Sequence, residues 1–130
     1  MAGYTIKNFK TDVEDQAPRF GTSPDTEARF GRVPLECEKV GVTYLRYAPN
    51  YHSPSGHRHK TQEEVYVVVS GSARVKVDDE IHELKQWDAI RVSKETMRAF
   101  SAGPDGVELV AIGAPGGPGD AETIQDWWTE

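Results

Sequence analysis

Cysteine is nearly absent from this chain. Among its 130 residues Cys37 is the single thiol, so no intrachain disulfide can brace the fold. Glu36 and Glu38 flank it and oppose thiolate formation, which fits a small hydrophobe better than a nucleophile. Long apolar runs are also missing. The longest, Val65–Val69, falls far short of the roughly 20 residues that a membrane-spanning helix needs. Met1 to Lys10 holds no apolar core segment of the kind a secretory signal requires. No basic run offsets the formal charge of -6, so nothing draws the chain to phosphate backbones or anionic membranes. These absences predict a soluble protein of a reducing cytoplasm, with neither nucleic acid nor membrane as a partner.

Helical periodicity is missing as well, and what is present is a succession of short strand-like segments. Hydrophobic residues make up 37% of the chain, enough for one compact core. A single domain of this length buries about two thirds of the surface its unfolded chain exposes. From Val40 onward, the segments Val42–Tyr47, Glu64–Val69, Ala73–Val77, Ile81–Leu84, Ala89–Val92, Met97–Ser101 and Val107–Ile112 are separated by turn residues, among them Pro49-Asn50 and Ser70-Gly71-Ser72. Strands at this spacing indicate an all-β sandwich or barrel. The acidic Asp78-Asp79-Glu80 reads as a solvated hairpin turn between two alternating strands. One domain over 1–130 is expected to comprise a polar, irregular arm (1–34), a β-barrel (35–114) and a Gly/Pro linker with a Trp-containing tail (115–130). Phe9, Phe20 and Phe30 would pack the arm down. Trp127 and Trp128 are costly to leave in water and would dock on the barrel or on a second subunit.

The chemistry concentrates at His57-Arg58-His59, with Glu64 five positions further on. Alternate residues of a strand share a face, so His57 and His59 point together while Arg58 points away. Glu64 opens the next strand, and two imidazoles with one carboxylate from adjacent strands suit a divalent metal. Tyr66 and Val68 share the face of Glu64, and Phe100 shares that of Arg98. This gives either a mostly apolar small-molecule pocket or the filling of a small barrel. His52, in a Pro/Gly loop, and His82, on a strand, read as an exposed residue and an ordinary strand residue.

Together these residues resemble the cupin family of double-stranded β-helix (jelly-roll) barrels. The first cupin motif ends in H-x-H, four residues, Glu, six residues, Gly, and His57, His59, Glu64 and Gly71 fall in that register. Its leading glycine would fall at Tyr51. The second motif follows from Trp87 to Phe100 in length and hydrophobic rhythm, but Trp87, Ser93 and Glu95 replace its Gly, Pro and Gly, and Arg98 stands where the last histidine ligand belongs. The resemblance spans about Val40 to Ile112 and implies a small homodimeric barrel.

Two functional readings follow. In one, His57, His59 and Glu64 hold an Fe, Mn, Zn or Ni ion with open coordination positions, in an oxygenase, isomerase or lyase of a small anionic molecule. Arg98 binds the anion, with Tyr66 and Phe100 lining the pocket. In the other, no metal binds. Arg98 takes the place of the cation, pairs with Glu64 and holds a small anion without turnover. A divalent ion about 5 Å from a guanidinium would feel roughly 6–7 kcal/mol of repulsion at an effective dielectric near 20, so the placement of Arg98 bears on the choice.

Overall fold

The computed structural model describes residues 3–129, so the first two residues of the expected arm and the last of the tail lie outside the description. Two single-turn helices, α1 (Phe9–Asp12) and α2 (Ala17–Phe20), are followed by eight strands: β1 (Thr26–Phe30), β2 (Gly41–Tyr47), β3 (Ser55–His59), β4 (Glu64–Val77), β5 (Glu80–Leu84), β6 (Ala89–Val92), β7 (Arg98–Gly113) and β8 (Ala121–Gln125). All belong to one antiparallel sheet. The path runs β1-β2-β7-β3-β8, and β4 pairs with β5, β6 and β7. The sheet curls around Tyr66, Val68, Val75, Val92, Phe100 and Leu109, all buried. An all-β jelly-roll barrel is thus the fold.

The expected elements differ from the observed ones at their junctions. Ser70-Gly71-Ser72 is not a turn: β4 runs through it with bulges at Val68/Ser70 and Gly71/Ala73. Gly71 has φ +74°, and a Cβ there would collide with the Gly106 carbonyl oxygen of β7. A glycine at a bulge, where two backbones touch, looks in sequence like a glycine at a turn. All but Met97 of the segment Met97–Ser101, and the whole of Val107–Ile112, are likewise parts of one strand, β7. Asp78-Asp79 does form the expected hairpin loop, with Val77 opposite Glu80.

The arm is less irregular than its Pro/Gly content suggests. β1 pairs with β2 from Thr26↔Tyr47 to Phe30↔Thr43. Glu27 fastens it by accepting hydrogen bonds from Lys10 Nζ (2.8 Å), Arg29 Nε (2.9 Å) and Arg46 Nε (2.5 Å). The tail docks on its own barrel. β8 pairs with β3 from Ser55↔Gln125 to His59↔Ala121. Trp128 is 3% exposed. Arg74 lies over the Trp128 ring and Lys76 over the Trp127 ring. Gly56 leaves room for Trp127, since a Cβ there would strike the indole. His52, expected in solvent, is tied to this tail: its Nε2 donates to the Trp128 carbonyl oxygen at 2.7 Å, and its ring packs edge-on against the indole.

Candidate metal centre

β3 and β4 bring the three first-motif residues together. The ligand atoms of His57, His59 and Glu64 all lie within 4.8 Å of one another. Glu64 Oε1 is the hub, 3.0 Å from His59 Nε2 and 3.6 Å from His57 Nε2. The two rings stand edge to face, 5.2 Å between centroids. His59 and Glu64 are shielded, with side chains 10% and 13% exposed, whereas His57 at 35% opens the cluster to solvent. Donors bound to one first-row ion at about 2.1 Å stand roughly 3.0–3.4 Å apart for right-angled to tetrahedral geometry; the 3.0 Å spacing from His59 falls in that range and the 3.6 Å spacing from His57 lies just beyond it.

Hydrogen bonding sharpens that fit. Tyr66 donates its hydroxyl proton to Glu64 Oε1 at 2.5 Å. On the other side of His59, Nδ1 lies 3.0 Å from Asp120 Oδ2. The imidazole therefore sits between two carboxylates. If Nδ1 carries the proton facing Asp120, His59 Nε2 is an acceptor: it meets Gln62 Nε2 at 3.5 Å and faces Glu64 Oε1, which already accepts from Tyr66, and a cation beside the two acceptors would relieve their contact. The alternative is an imidazolium that donates from both nitrogens. Burial pushes the Glu64 carboxyl up, but the nearby His57, the hydrogen bond from Tyr66 and the electrostatic pull of both imidazoles outweigh it and hold the group at about 2. Asp120 is also held below the ordinary range, by hydrogen bonds from Thr61, His59 and Gln62 against some desolvation. Burial and the adjacent Glu64 charge drive Tyr66 well above its ordinary value, so it stays a donor.

Arg98 is placed differently from either expectation. It lies on the inner face of β7, opposite His57 of β3 and Val77 of β4, and is completely buried. Its guanidinium donates to the carbonyl oxygens of Ser93 (3.0 Å), His57 (3.5 Å) and Val92 (3.5 Å), and its Nε has no partner. Among the described residues it forms no ion pair, so the expected pairing with Glu64 is not observed. The guanidinium is directed at backbone carbonyls and not at the carboxylate of the ligand set. Tyr66 and Phe100, 2% and 3% exposed with ring centroids 4.8 Å apart, form the wall beneath the cluster. As the barrel stands, Arg98, Tyr66 and Phe100 are sealed from solvent. His82 is exposed and lies 3.2 Å from Glu80.

The concavities lie beside the cluster, not over it. One of about 760 Å³ at another part of the barrel is lined by Ser72, Arg74, Leu84, Asp88 and Ser101 and touches none of the three candidate ligands. A smaller one, about 370 Å³, is bounded by Arg32, His59, Gln62, Gly116 and Asp120. Sequence reasoning missed Asp120. It follows a Gly/Pro-rich run that reads as linker, and the one available signal was a carboxylate at the start of the alternating segment Ala121–Gln125.

The comparisons agree with this architecture. A family model described as the cupin domain matches residues 43–113, more than half of the chain, and the protein belongs to that family. No curated protein matches it in sequence. Among solved structures, a cupin protein from Bacteroides fragilis superposes with a TM-score of 0.72 at 21% identity, covering 100% of this chain and 99% of its own. The polyketide cyclase RemF from Streptomyces resistomycificus gives 0.74 at 20% identity, covering 97% and 88%. PAC13 from Streptomyces, solved with uridine, gives 0.72 at 15% identity, covering 96% and 92%. Identities this low carry the fold and not the reaction. Among the described residues no helix is long and apolar enough to cross a membrane.

Proposed function

We propose that this cupin is a metal-dependent enzyme, an oxygenase, isomerase or lyase acting on a small, anionic molecule, with His57, His59 and Glu64 holding the ion. The observation that carries the reading is the position of His59, whose Nε2 stands 3.0 Å from Glu64 Oε1 while its Nδ1 faces Asp120 at the same distance. A bound Fe, Mn, Zn or Ni ion would supply Lewis acidity and open coordination positions. The protein's own part is to present the ligands and, through half-open His57, to admit substrate. Tyr66 keeps one donor on Glu64, and the apolar wall of Phe100 excludes water from beneath. The structural neighbours include a polyketide cyclase and an oxalate decarboxylase, which supports small-molecule chemistry as a class without selecting a reaction.

A metal-free binding module is the second reading, and one observation favours it: an imidazolium at His59 would satisfy both carboxylates with no ion. Elemental analysis of untagged protein purified without added metal separates the two. Near-stoichiometric metal that disappears in the His57→Ala/His59→Ala variant is the expected result. Protein that is isolated without metal and takes up none of Fe, Mn, Zn or Ni would reject the centre.

Assembly as a homodimer in the cytoplasm belongs to the same proposal. Strand register sets Val42, Ile112 and Val65 in one row and Val110 and Val67 in the next, all on the face opposite the core, with Ile112 41% exposed. An aliphatic sheet face of this kind suits a second copy, and a monomer by light scattering would count against it.

A further inference from the structure

We infer that Asp120 is a positioning residue for His59, so that the C-terminal tail sets the geometry of the candidate centre. The inference deepens the metal reading above, and its affinity arm rests on that reading. Asp120 stands at the end of the Gly/Pro run, where β8 begins pairing with β3 at Ala121↔His59. Its main chain is fixed first: the carbonyl oxygen accepts from Lys60 N (2.9 Å), and its N–H donates to Gly117 O (3.3 Å). Its side chain, 7% exposed, is then saturated. Oδ1 accepts from Thr61 N (2.9 Å) and Thr61 Oγ1 (2.6 Å), and Oδ2 accepts from Gln62 N (3.3 Å) while facing His59 Nδ1.

A carboxylate so engaged can only accept. The imidazole must therefore present N–H at Nδ1, which turns Nε2 toward Glu64 and the open side of the cluster. The linker is shaped for this contact, since a Cβ on Gly116 would collide with the Asp120 carboxyl group. At its far end the same tail is held by Trp128 against His52 and Arg74. Tail docking and ligand orientation are thus parts of one arrangement, in which Asp120, outside both cupin motifs, meets His59, Thr61 and Gln62 of the first.

Zinc titration of the full chain and a long-range proton–nitrogen spectrum of the His59 ring test the assignment together. Asp120→Asn should weaken zinc binding about 10- to 100-fold, the range typical for loss of a ligand's outer hydrogen-bond partner. Thr61→Val, which removes one of the other bonds to the same carboxylate, should change it less than about 3-fold. In the wild-type spectrum Nδ1 should carry a slowly exchanging proton that Asp120→Asn loses. Unchanged zinc affinity in Asp120→Asn would overturn the assignment. So would an equal loss in Thr61→Val, the mark of a merely structural role, or a wild-type Nδ1 without its proton. If the wild-type protein takes up none of Zn, Fe, Mn or Ni, the metal reading falls and the spectrum alone decides Asp120. If Asp120→Asn does not fold, the wild-type spectrum again decides.

Discussion

Glu27 on β1 and Glu64 on β4 are buried alike, each with a side chain 13% exposed and each held at about 2 despite burial that pushes it up. Their partners differ in kind. Around Glu27 stand Lys10, Arg46 and Arg29, three permanent cations that occupy both carboxylate oxygens and leave no charge to be met. Around Glu64 stand two imidazoles and a phenol, none of them a permanent cation. A depressed carboxyl therefore marks no function by itself; whether its charge is already neutralised does. Glu27 closes a structural joint between the arm and β2, whereas the groups around Glu64 give its charge no permanent cation among them.

Exchanging the amide for each carboxylate should separate the two most widely. Glu64→Gln is expected to weaken zinc binding at least about 100-fold, or roughly 2.7 kcal/mol, whereas Glu27→Gln should leave it unchanged within about 3-fold. Calorimetric titration of both variants reads this directly, and equal losses would erase the distinction. Trp128→Ala tests whether the tail belongs to the Glu64 side. Deleting so buried an indole should lower unfolding free energy by about 3 kcal/mol in denaturant titration. Zinc affinity should fall with it, because the same tail carries Asp120. Intact affinity in a destabilised Trp128→Ala would show that the tail's packing and the site are independent.

The Glu64 side was more legible in sequence than its surroundings. His57 and His59 share a face of β3 by alternation and Glu64 opens β4 close behind them, although β3 and β4 do not pair directly and are brought together through β7. Strand existence was readable for the same reason, because local alternation survives in β2, β4 and β7. What was not readable depended on distant pairing. β1 looked irregular because Pro24 and Gly31 flank it, and its stability comes from β2 and the cations around Glu27. Asp120 meets His59 across 61 positions, and no local pattern announces such a contact. Arg98 could be placed on the inner face, but its turn toward the carbonyls of His57, Val92 and Ser93 depends on where β3 and the end of β6 lie.

Acid should sharpen the comparison from the Glu27 side. Because the folded carboxyl is lowered to about 2 from the ordinary 4.5, its contribution is fully present above about pH 4.5 and is lost as pH falls through about 2. Glu27→Gln should therefore cost about 1–2 kcal/mol near neutrality, a figure reduced because Lys10 and Arg46 are 52% and 31% exposed. The difference from wild type should shrink through the window from 4.5 to 2. Thermal melts across that window check it. A difference that persists at pH 2 would mean that Glu27 acts through packing and not through its charge.

Trp87 belongs to neither centre and supplies the control with the smallest expected effect. It occupies the position where the second cupin motif has glycine, and its backbone keeps a left-handed conformation at φ +73°. The turn demands that geometry: Trp87 N–H donates to Val68 O at 2.7 Å, while Lys85 N–H donates to Asp88 Oδ2 at 2.8 Å. A left-handed non-glycine residue costs about 1–2 kcal/mol, and glycine gives back part of that through the greater freedom of its unfolded chain. The indole is 70% exposed, so little packing is lost with it. Trp87→Gly should accordingly raise stability by about 0.5–1 kcal/mol and leave zinc affinity unchanged. A fall in stability would mean that the indole's remaining contacts outweigh the strain. A change in zinc affinity would mean that the turn between β5 and β6 is coupled to Glu64, whose strand pairs directly with β6 from Glu64↔Val92 to Val67↔Ala89.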